Sequence, residues 1–498
     1  MTTAAVTPHA GSAVTTFVVA SSCPRCGAPL DFGEGSNAVR CRHCASLLLV
    51  TGRRRVLRWV IRPRTTALEA RKLASFARGA GGVSRGAPRL VFVPYYRLTA
   101  DELFWRRERV RRVDRACDPQ ASLDESTRLL RSLGGGAPIL DGEYEIDLAS
   151  RTIERSFLAC DDLAALASWS LGVRTGVLRL ELFEREALEG DGVVVEPTLA
   201  PEAALARALQ TQHGGDTIAR DVLRVVLSLI WFPLWVVPNE PGKIAVVDGV
   251  TGSLIARDVD GAALDALIAR RDAARGSEHV VGFRPLCCPN CGWDLPLRAI
   301  DVVFHCTSCE RSWELRGDEL DLIPSDVVAP LAADASATLP LLPVWEVRGA
   351  AHGAASQAVR AAAASPSSSA PRVVLPERLF APAFPWRRVD HLCDLGARLA
   401  RGAPAHPEIE PVKNMALAGC TLDREDALAL ARMVALALLL DDGNVRFAAA
   451  RGGALPEVAV DGATTRLVWL PFAGDAYSVR DPFTGYALPR RAVEDLLR

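Results

Sequence analysis

Apolar and polar positions divide this chain into short elements of two kinds. Runs rich in β-branched and aromatic residues predict strands, and Ala/Leu-rich stretches predict helices. Val225–Val237, Lys243–Val247 and Ser253–Ala256 read as a small antiparallel meander, and Leu90–Tyr96 and Leu341–Trp345 as further strands. Helices are expected after Thr198 and Thr421, which read as N-caps, with Glu202 and Glu425 in the first turns where the helix dipole favours a carboxylate. Another helix, Leu163–Ser170, is expected behind Asp161-Asp162, and Asp441-Asp442-Gly443 reads as a turn. Thr99–Cys117 fits either a helix opened by a Thr99/Glu102 capping box or the return strand of a hairpin. The longest apolar run, Val225–Val237, is thirteen residues with Pro233 inside it. A membrane span needs roughly 18 or more, so a buried strand is expected there.

The elements recur. Arg155-Ser-Phe157 before Leu171-Gly172-Val-Arg174 matches Arg378-Leu-Phe380 before Leu395-Gly396-Ala-Arg398. Thr198-Leu-Ala-Pro-Glu202 matches Thr421-Leu-Asp-Arg-Glu425. Leu229-Ile-Trp231-Phe-Pro233 matches Leu467-Val-Trp469-Leu-Pro471, and Asp248-Gly-Val-Thr251-Gly252 matches Asp481-Pro-Phe-Thr484-Gly485. Each match is weak alone, but the order is the same, which predicts a tandem duplication with copies near 18–275 and 283–498. Trp231, Trp345 and Trp469 are expected in the core. The prolines beside Trp231 and Trp469 suggest an edge strand or a bulge. Asp-x-x-Thr-Gly between apolar stretches reads as a hairpin turn.

The cysteines sharpen the repeat. In Cys23-Pro-Arg-Cys26-Gly27 and Cys41-Arg-His-Cys44 fourteen residues lie between Cys26 and Cys41, and in Cys288-Pro-Asn-Cys291-Gly292 and Cys306-Thr-Ser-Cys309 fourteen lie between Cys291 and Cys306. Two C-x-x-C pairs at this separation form a four-thiolate zinc signature, with each pair on a tight turn and Gly27 and Gly292 where positive φ is needed. Four thiolates close the tetrahedron and leave no position for water, so the expected sites are structural. Iron would accept the same ligands, and zinc is the expectation. His43 and His305 neighbour ligands but are not needed, and alignment with Ser22-Cys23 makes Cys288, not Cys287, the ligand. The Cys-Pro-x-Cys-Gly knuckle resembles the rubredoxin-like zinc-ribbon superfamily, including its tandem bacterial members. The likeness covers about 30 residues per copy and departs from the pattern at Ala45 and Glu310, where glycine often follows the second pair. It implies two bound Zn2+ ions per chain and little about activity, because that superfamily includes nucleic-acid binders, docking modules and structural pieces.

Length and composition add bounds. At 498 residues the chain exceeds one ordinary core. Its 49% apolar and 23% charged residues suit a globular protein, and the scarcity of lysine beside arginine suggests a GC-rich bacterial genome. Zinc thiolates suit a reducing cytoplasm, and the absence of a basic residue before Arg25 argues against a secretory signal. The net charge is −1, but residues 40–115 carry 20 Lys/Arg against five acids, a net of +15. Arg53, Arg54, Arg55, Arg106, Arg107, Arg109, Arg111 and Arg112, with Trp59, Tyr95, Tyr96 and Trp105 to stack, would suit nucleic acid. The alternative is an arginine-rich face paired with the chain's own acids. No G-x-x-x-x-G-K-[ST], G-x-G-x-x-G or H-E-x-x-H motif occurs, and the eight His are dispersed.

The expected fold is α+β, with two tandem copies of a zinc ribbon followed by an antiparallel-sheet domain with helices, each domain with its own core. The boundaries are 18–50, 51–275, 283–316 and 317–498, with 349–372 a flexible Ala- and Ser-rich insertion. The expected function is a non-enzymatic zinc scaffold or docking protein with a protein partner. A nucleic-acid factor and an enzyme with a site between the copies are the alternatives.

Overall fold

The computed structural model describes residues 17–52, 56–76, 86–108, 144–160, 178–210, 216–240, 242–262, 265, 281–328, 341–349, 352–354, 375–386, 388–404, 409–410, 417–450, 455, 457–460, 464–474, 477–481 and 483–491. The architecture is mixed α+β and dominated by sheet.

In the first half, β1 (Val18–Ser22), β2 (Pro29–Gly33), β3 (Ala38–Arg40) and β4 (Leu47–Thr51) flank the first cysteine pairs. Then follow β5 (Leu57–Val60), α1 (Ala67–Phe76), β6 (Arg89–Glu108), β7 (Glu145–Leu158), β8 (Arg179–Leu182), α2 (Arg185–Asp191), β9 (Val193–Val194), α3 (Pro201–Leu209), β10 (Asp216–Glu240), β11 (Lys243–Asp248) and β12 (Leu254–Asp260). The second half opens with β13 (Gly282–Pro285), β14 (Val303–Cys306), β15 (Arg311–Arg316), β16 (Glu319–Ile323), β17 (Ser325–Val328), β18 (Leu341–Arg348), β19 (His352–Ala354) and β20 (Arg378–Pro382). It continues with α4 (Val389–Gly402), β21 (Ile409–Glu410), α5 (Arg424–Leu440), α6 (Gly443–Ala450), β22 (Glu457–Ala459) and β23 (Thr464–Pro471), and a small three-stranded sheet follows.

The large first sheet is apolar on both faces because β6 and β10 carry unbroken apolar runs, whose successive side chains point to opposite sides. Along β6, Val91, Val93 and Tyr95 enter one core, while Leu90, Phe92 and Tyr96 enter the other. Along β10, Ile230, Phe232 and Leu234 take the first side, and Leu229 and Trp231 the second. The expected meander is present as β10–β11–β12, antiparallel throughout.

The two halves share a strand order. In the first, β7–β6–β10–β5 pair antiparallel, antiparallel and parallel; in the second, β20–β18–β23–β17 do the same. Trp231 sits opposite Pro94, and Trp469 opposite Pro343. The Ala159 N–H donates to the Pro94 carbonyl and the Ala383 N–H to the Pro343 carbonyl, both at 2.9 Å. The Tyr96 hydroxyl donates to the Leu199 carbonyl, and the Trp345 indole N–H to the Leu422 carbonyl, again both at 2.9 Å. Asp248 and Asp481 each accept two backbone N–H groups through Oδ1, folding turns that close on Gly252 (φ 74°) and Gly485 (φ 70°).

Several expectations are corrected. Thr198 and Thr421 are not N-caps: Ala200 and Asp423 hold those places, and the threonine N–H groups donate to the Ala159 and Ala383 carbonyls. The R-x-F match is one residue out of register. Leu158 pairs with Tyr95 and Pro382 with Val344, so Arg155 corresponds to Leu379 rather than Arg378. Thr99–Glu108 is neither a helix nor a return strand but the second half of β6, paired along its length with β7 and β10. Pro233 lies inside the sheet, not at an edge. On one side of β10, pairing with β5 ends at Trp231 and pairing with β11 begins at Leu234, so the missing N–H falls at the changeover. Of the expected insertion 349–372, His352–Ala354 pairs with β22, and residues 350, 351 and 355–372 lie outside the described residues. Leu163–Ser170 and Leu171–Arg174 also lie outside them.

The second half does not close its core alone. Leu103, Trp105, Ile146 and Leu223, from the far ends of β6, β7 and β10, join the cluster built on α4, α5 and the second sheet. Polar contacts seal this junction. Arg432 grips Asp221 at 2.6 and 3.2 Å, Ser150 Oγ lies 2.6 Å from Asp390, and Arg446 donates to the Ile146 carbonyl at 2.8 Å. The Arg224 N–H donates to Asp426 Oδ1 at 3.0 Å from a bulge where Arg224 has φ 52°.

Candidate metal centre

The structure brings together the eight expected cysteines as two sets of four. In each set the sulfurs all lie within 4.8 Å of one another. Cys23 Sγ lies 3.7 Å from Cys44 Sγ, and Cys26 Sγ 3.7 Å from Cys41 Sγ; in the second set, Cys288–Cys309 and Cys291–Cys306 are both 3.5 Å. A disulfide would need about 2.05 Å. A tetrahedral ion bound at about 2.3 Å by four thiolates separates neighbouring sulfurs by about 3.8 Å. Both sets therefore fit a four-coordinate metal ion and not a pair of disulfides.

Local backbone chemistry makes the knuckles. In each of the four pairs the residue after the second cysteine returns its N–H to the carbonyl of the first: Gly27 to Cys23, Ala45 to Cys41, Gly292 to Cys288 and Glu310 to Cys306, at 2.8–2.9 Å. All four lie in the left-handed region, at φ 72°, 58°, 73° and 56°. The departure at Ala45 and Glu310 thus changes the residue and keeps the turn.

The thiols differ in ways a cation would level. The hydroxyl and then the backbone N–H of Ser46 hold Cys44 down at about 6. At Cys288 burial acts upward, but the Cys291 and Asn290 N–H groups outweigh it and leave the thiol at about 7. Burial pushes Cys306 up to about 12. A metal ion favours the ionised form of all four.

Neighbouring candidates fall outside the sets. His305 is buried with Nδ1 3.0 Å from Ser312 Oγ, and His43 is exposed. Cys287 forms a backbone bridge with Asp294 instead. Asp441 ends α5 and Asp442 Oδ1 accepts the Val445 N–H, so this pair makes the expected turn.

The sequence did not reveal that the segments flanking the two sets pack against each other. Strand β13, which leads into the second set, pairs antiparallel with β4 of the first, Phe283 opposite Val50 and Pro285 opposite Leu48. The Leu286 N–H donates to the Leu47 carbonyl at 3.0 Å. Asn37 donates its backbone N–H to the Ala299 carbonyl at 2.6 Å and its side-chain amide to the Asp301 carbonyl at 2.9 Å, and the Gly52 N–H donates to Asp318 Oδ1 at 2.6 Å. One signal was available: Leu47-Leu48-Leu49-Val50 is apolar without alternation, as a strand covered on both faces must be. Leu48 and Val50 enter the first half's core, and Leu49 enters a core shared with the second set.

Among the described residues, the aromatic side chains expected to stack do not form an exposed surface. Trp59, Tyr95, Tyr96 and Trp105 are core residues; the adjacent Tyr95 and Tyr96 point to opposite faces of β6, and both faces are covered. Arg106 lies 3.2 Å from Glu108 and 3.5 Å from Asp147, and Arg107 covers the Tyr144 ring. Arg62 pairs with Glu181 and Asp191, and Arg89 with Asp265. Arg53, Arg54, Arg55, Arg109, Arg111 and Arg112 lie outside the described residues. Trp231, Trp345 and Trp469 are buried, as expected. No helix among the described residues is long and apolar enough to cross a membrane. No family model, no curated protein and no solved structure matches the chain.

Proposed function

We propose that this chain is a non-enzymatic, cytoplasmic zinc protein, a scaffold or protein-docking module built from two copies of one plan, each a four-cysteine ribbon followed by an α+β domain. The observation that carries the reading is the pair of complete four-sulfur sets, which use every coordination position of a tetrahedral ion and leave none for water or substrate. An all-thiolate tetrahedral donor set suits zinc, and iron would accept the same ligands. The shared strand order and the matching Ala159/Ala383 and Tyr96/Trp345 contacts support descent of the halves from one unit. Nucleic-acid binding is the lesser reading, since the described arginines of residues 40–115 include several already paired with the chain's own carboxylates. Elemental analysis of the purified chain tests the proposal. Two zinc per chain are expected; a chain that takes up no metal would sink it. An electrophoretic shift at low salt would move nucleic acid from second place to first.

A further inference from the structure

We propose that the two metal sites bind cooperatively, each ion raising the affinity of the site that holds the other; this rests on the metal-binding reading above. A ribbon of about 30 residues is too small to bury a core of its own. Here the core beneath the second set contains Leu286, Cys288, Leu295, Phe304, Cys306, Trp313 and Leu315 from the second ribbon, with Ala38 and Leu49 from the first. Two of its members, Cys288 and Cys306, are themselves ligands. Part of the core around the second site is therefore supplied by β3 and β4, which run into and out of the Cys41–Cys44 knuckle of the first site. Ligation at the first site fixes that knuckle and with it Leu49.

The backbone transmits the same constraint. Strand β13 ends three residues before Cys288 and completes a three-stranded sheet with β4 and β3, so the entry to the second site is held by the first ribbon's strand. Asn37, four residues before Cys41, bonds to the Ala299 and Asp301 carbonyls, which precede Cys306. Ordering the first ribbon thus orders chain next to both ligand pairs of the second, and ordering the second orders chain on both sides of the Cys41–Cys44 pair. Because coupling between bound ligands is reciprocal, loading the second site must strengthen the first by the same factor.

The test uses the full-length chain and zinc alone, titrated against a chromophoric chelator. Cys26→Ser and Cys291→Ser each remove one exposed ligand and leave the buried ones in place. In either variant the intact site should lose affinity by about 5–150-fold, the usual range for coupled sites. Hydrogen exchange at the Leu286 amide should quicken in Cys26→Ser, while the exchange of buried α5 amides stays unchanged and reports that the chain still folds. Asn37→Ala keeps all eight cysteines and serves as a second variant: two ions should still bind, with weaker coupling. Two ions bound by the wild-type chain, with the intact site of each cysteine variant keeping its affinity, would overturn the coupling and leave the metal reading standing. A wild-type chain that binds no zinc would overturn both.

Discussion

The two sheets place residues of opposite charge at one equivalent buried position. Counting from Pro94 and Pro343, which face Trp231 and Trp469, the third residue along is Arg97 in β6 and Glu346 in β18. Arg97 pairs with Glu34, which follows β2 in the first ribbon, and with Glu154 in β7 at 2.8 Å. Glu346 is met by Arg348 at 2.5 Å, Arg378 at 2.6 Å and Arg466 at 2.7 Å, all from its own sheet. The shared strand order thus does not require a shared sign of charge; it requires that a buried charge meet its opposite. The use differs too. Arg97 fastens a ribbon to its sheet, whereas Glu346 ties strands of one sheet. The second ribbon is fastened otherwise, by the Val302 N–H on the Cys420 carbonyl and by Glu314 accepting the Arg424 N–H at the start of α5.

Arg97→Glu should show the largest effect. It sets a third carboxylate against Glu34 and Glu154, and Glu34 has almost no solvent to turn to. Breaking one partner of a buried pair costs about 3–5 kcal/mol, and reversing it should reach the top of that range. Denaturant unfolding would measure the loss, and chelator titration should find that the Cys23 set gives up its metal more easily. Glu346→Ala should cost a comparable amount of stability without changing metal release. Equal metal release in the two variants would erase the functional half of the comparison.

Two buried carboxyls should respond to pH in opposite senses. Burial acts to raise Glu346, but hydrogen bonds from Arg348, Arg466 and Arg378 outweigh it and hold it below the usual range. The folded value lies under the unfolded one of about 4.3, so its contribution is full above that pH and lost as pH falls through the folded value. Asp301 is pushed up to about 7, chiefly by burial, with Arg298 acting downward. Its unfolded counterpart ionises near about 3.9 while the folded carboxyl keeps its proton, so stability falls as pH rises from about 4 to 7 and is level above. Asp301→Asn should therefore stabilise the protein at pH 8 and leave pH 4 unchanged. Glu346→Gln should destabilise at pH 8 and matter less toward acid. Identical pH profiles for the two variants would refute the contrast.

Much of this was legible because it is local. Cysteine spacing fixed the ligands, Gly27 and Gly292 marked the turns, and the Asp248 and Asp481 turns followed from short-range Asx bonding. What was not legible is nonlocal. The β13–β4 pairing joins segments more than 200 residues apart, and no property of Gly282–Pro285 names its partner. The reach of β6 into the second half depends on Leu103 and Trp105 finding a core whose buried members, apart from Ile146 and Leu223, lie beyond residue 300. Thr198 and Thr421 misled for a subtler reason. Threonine is a good cap, yet both helices start two residues later, behind Ala200 and Asp423, and each threonine N–H instead bonds a carbonyl of a neighbouring segment.

Tyr96→Phe is a milder probe of the halves. It removes only the hydroxyl that donates to the Leu199 carbonyl, and one such bond is worth about 0.5–1.5 kcal/mol. Trp345→Phe should lose more, because it removes the equivalent donor and part of a fully buried ring. Thermal melts of both variants would rank them, and the reverse order would show that these two contacts are not equivalent in use.

The smallest expected change carries the opposite sign. Ala45 and Glu310 stand in the left-handed region, at φ 58° and 56°, where their ribbons' first knuckles have Gly27 and Gly292. A side chain there costs about 1–2 kcal/mol. Glycine would relieve that strain but gain about 0.4–1 kcal/mol of unfolded-state freedom. Ala45→Gly should therefore stabilise by roughly 0.5–1 kcal/mol, and Gly27→Ala should destabilise by a similar amount. The pair isolates the knuckle turn from metal chemistry, because neither substitution touches a ligand. If Ala45→Gly lowers the melting temperature, the Ala45 methyl makes a contact that outweighs the strain, and the two knuckles of the first ribbon are not interchangeable.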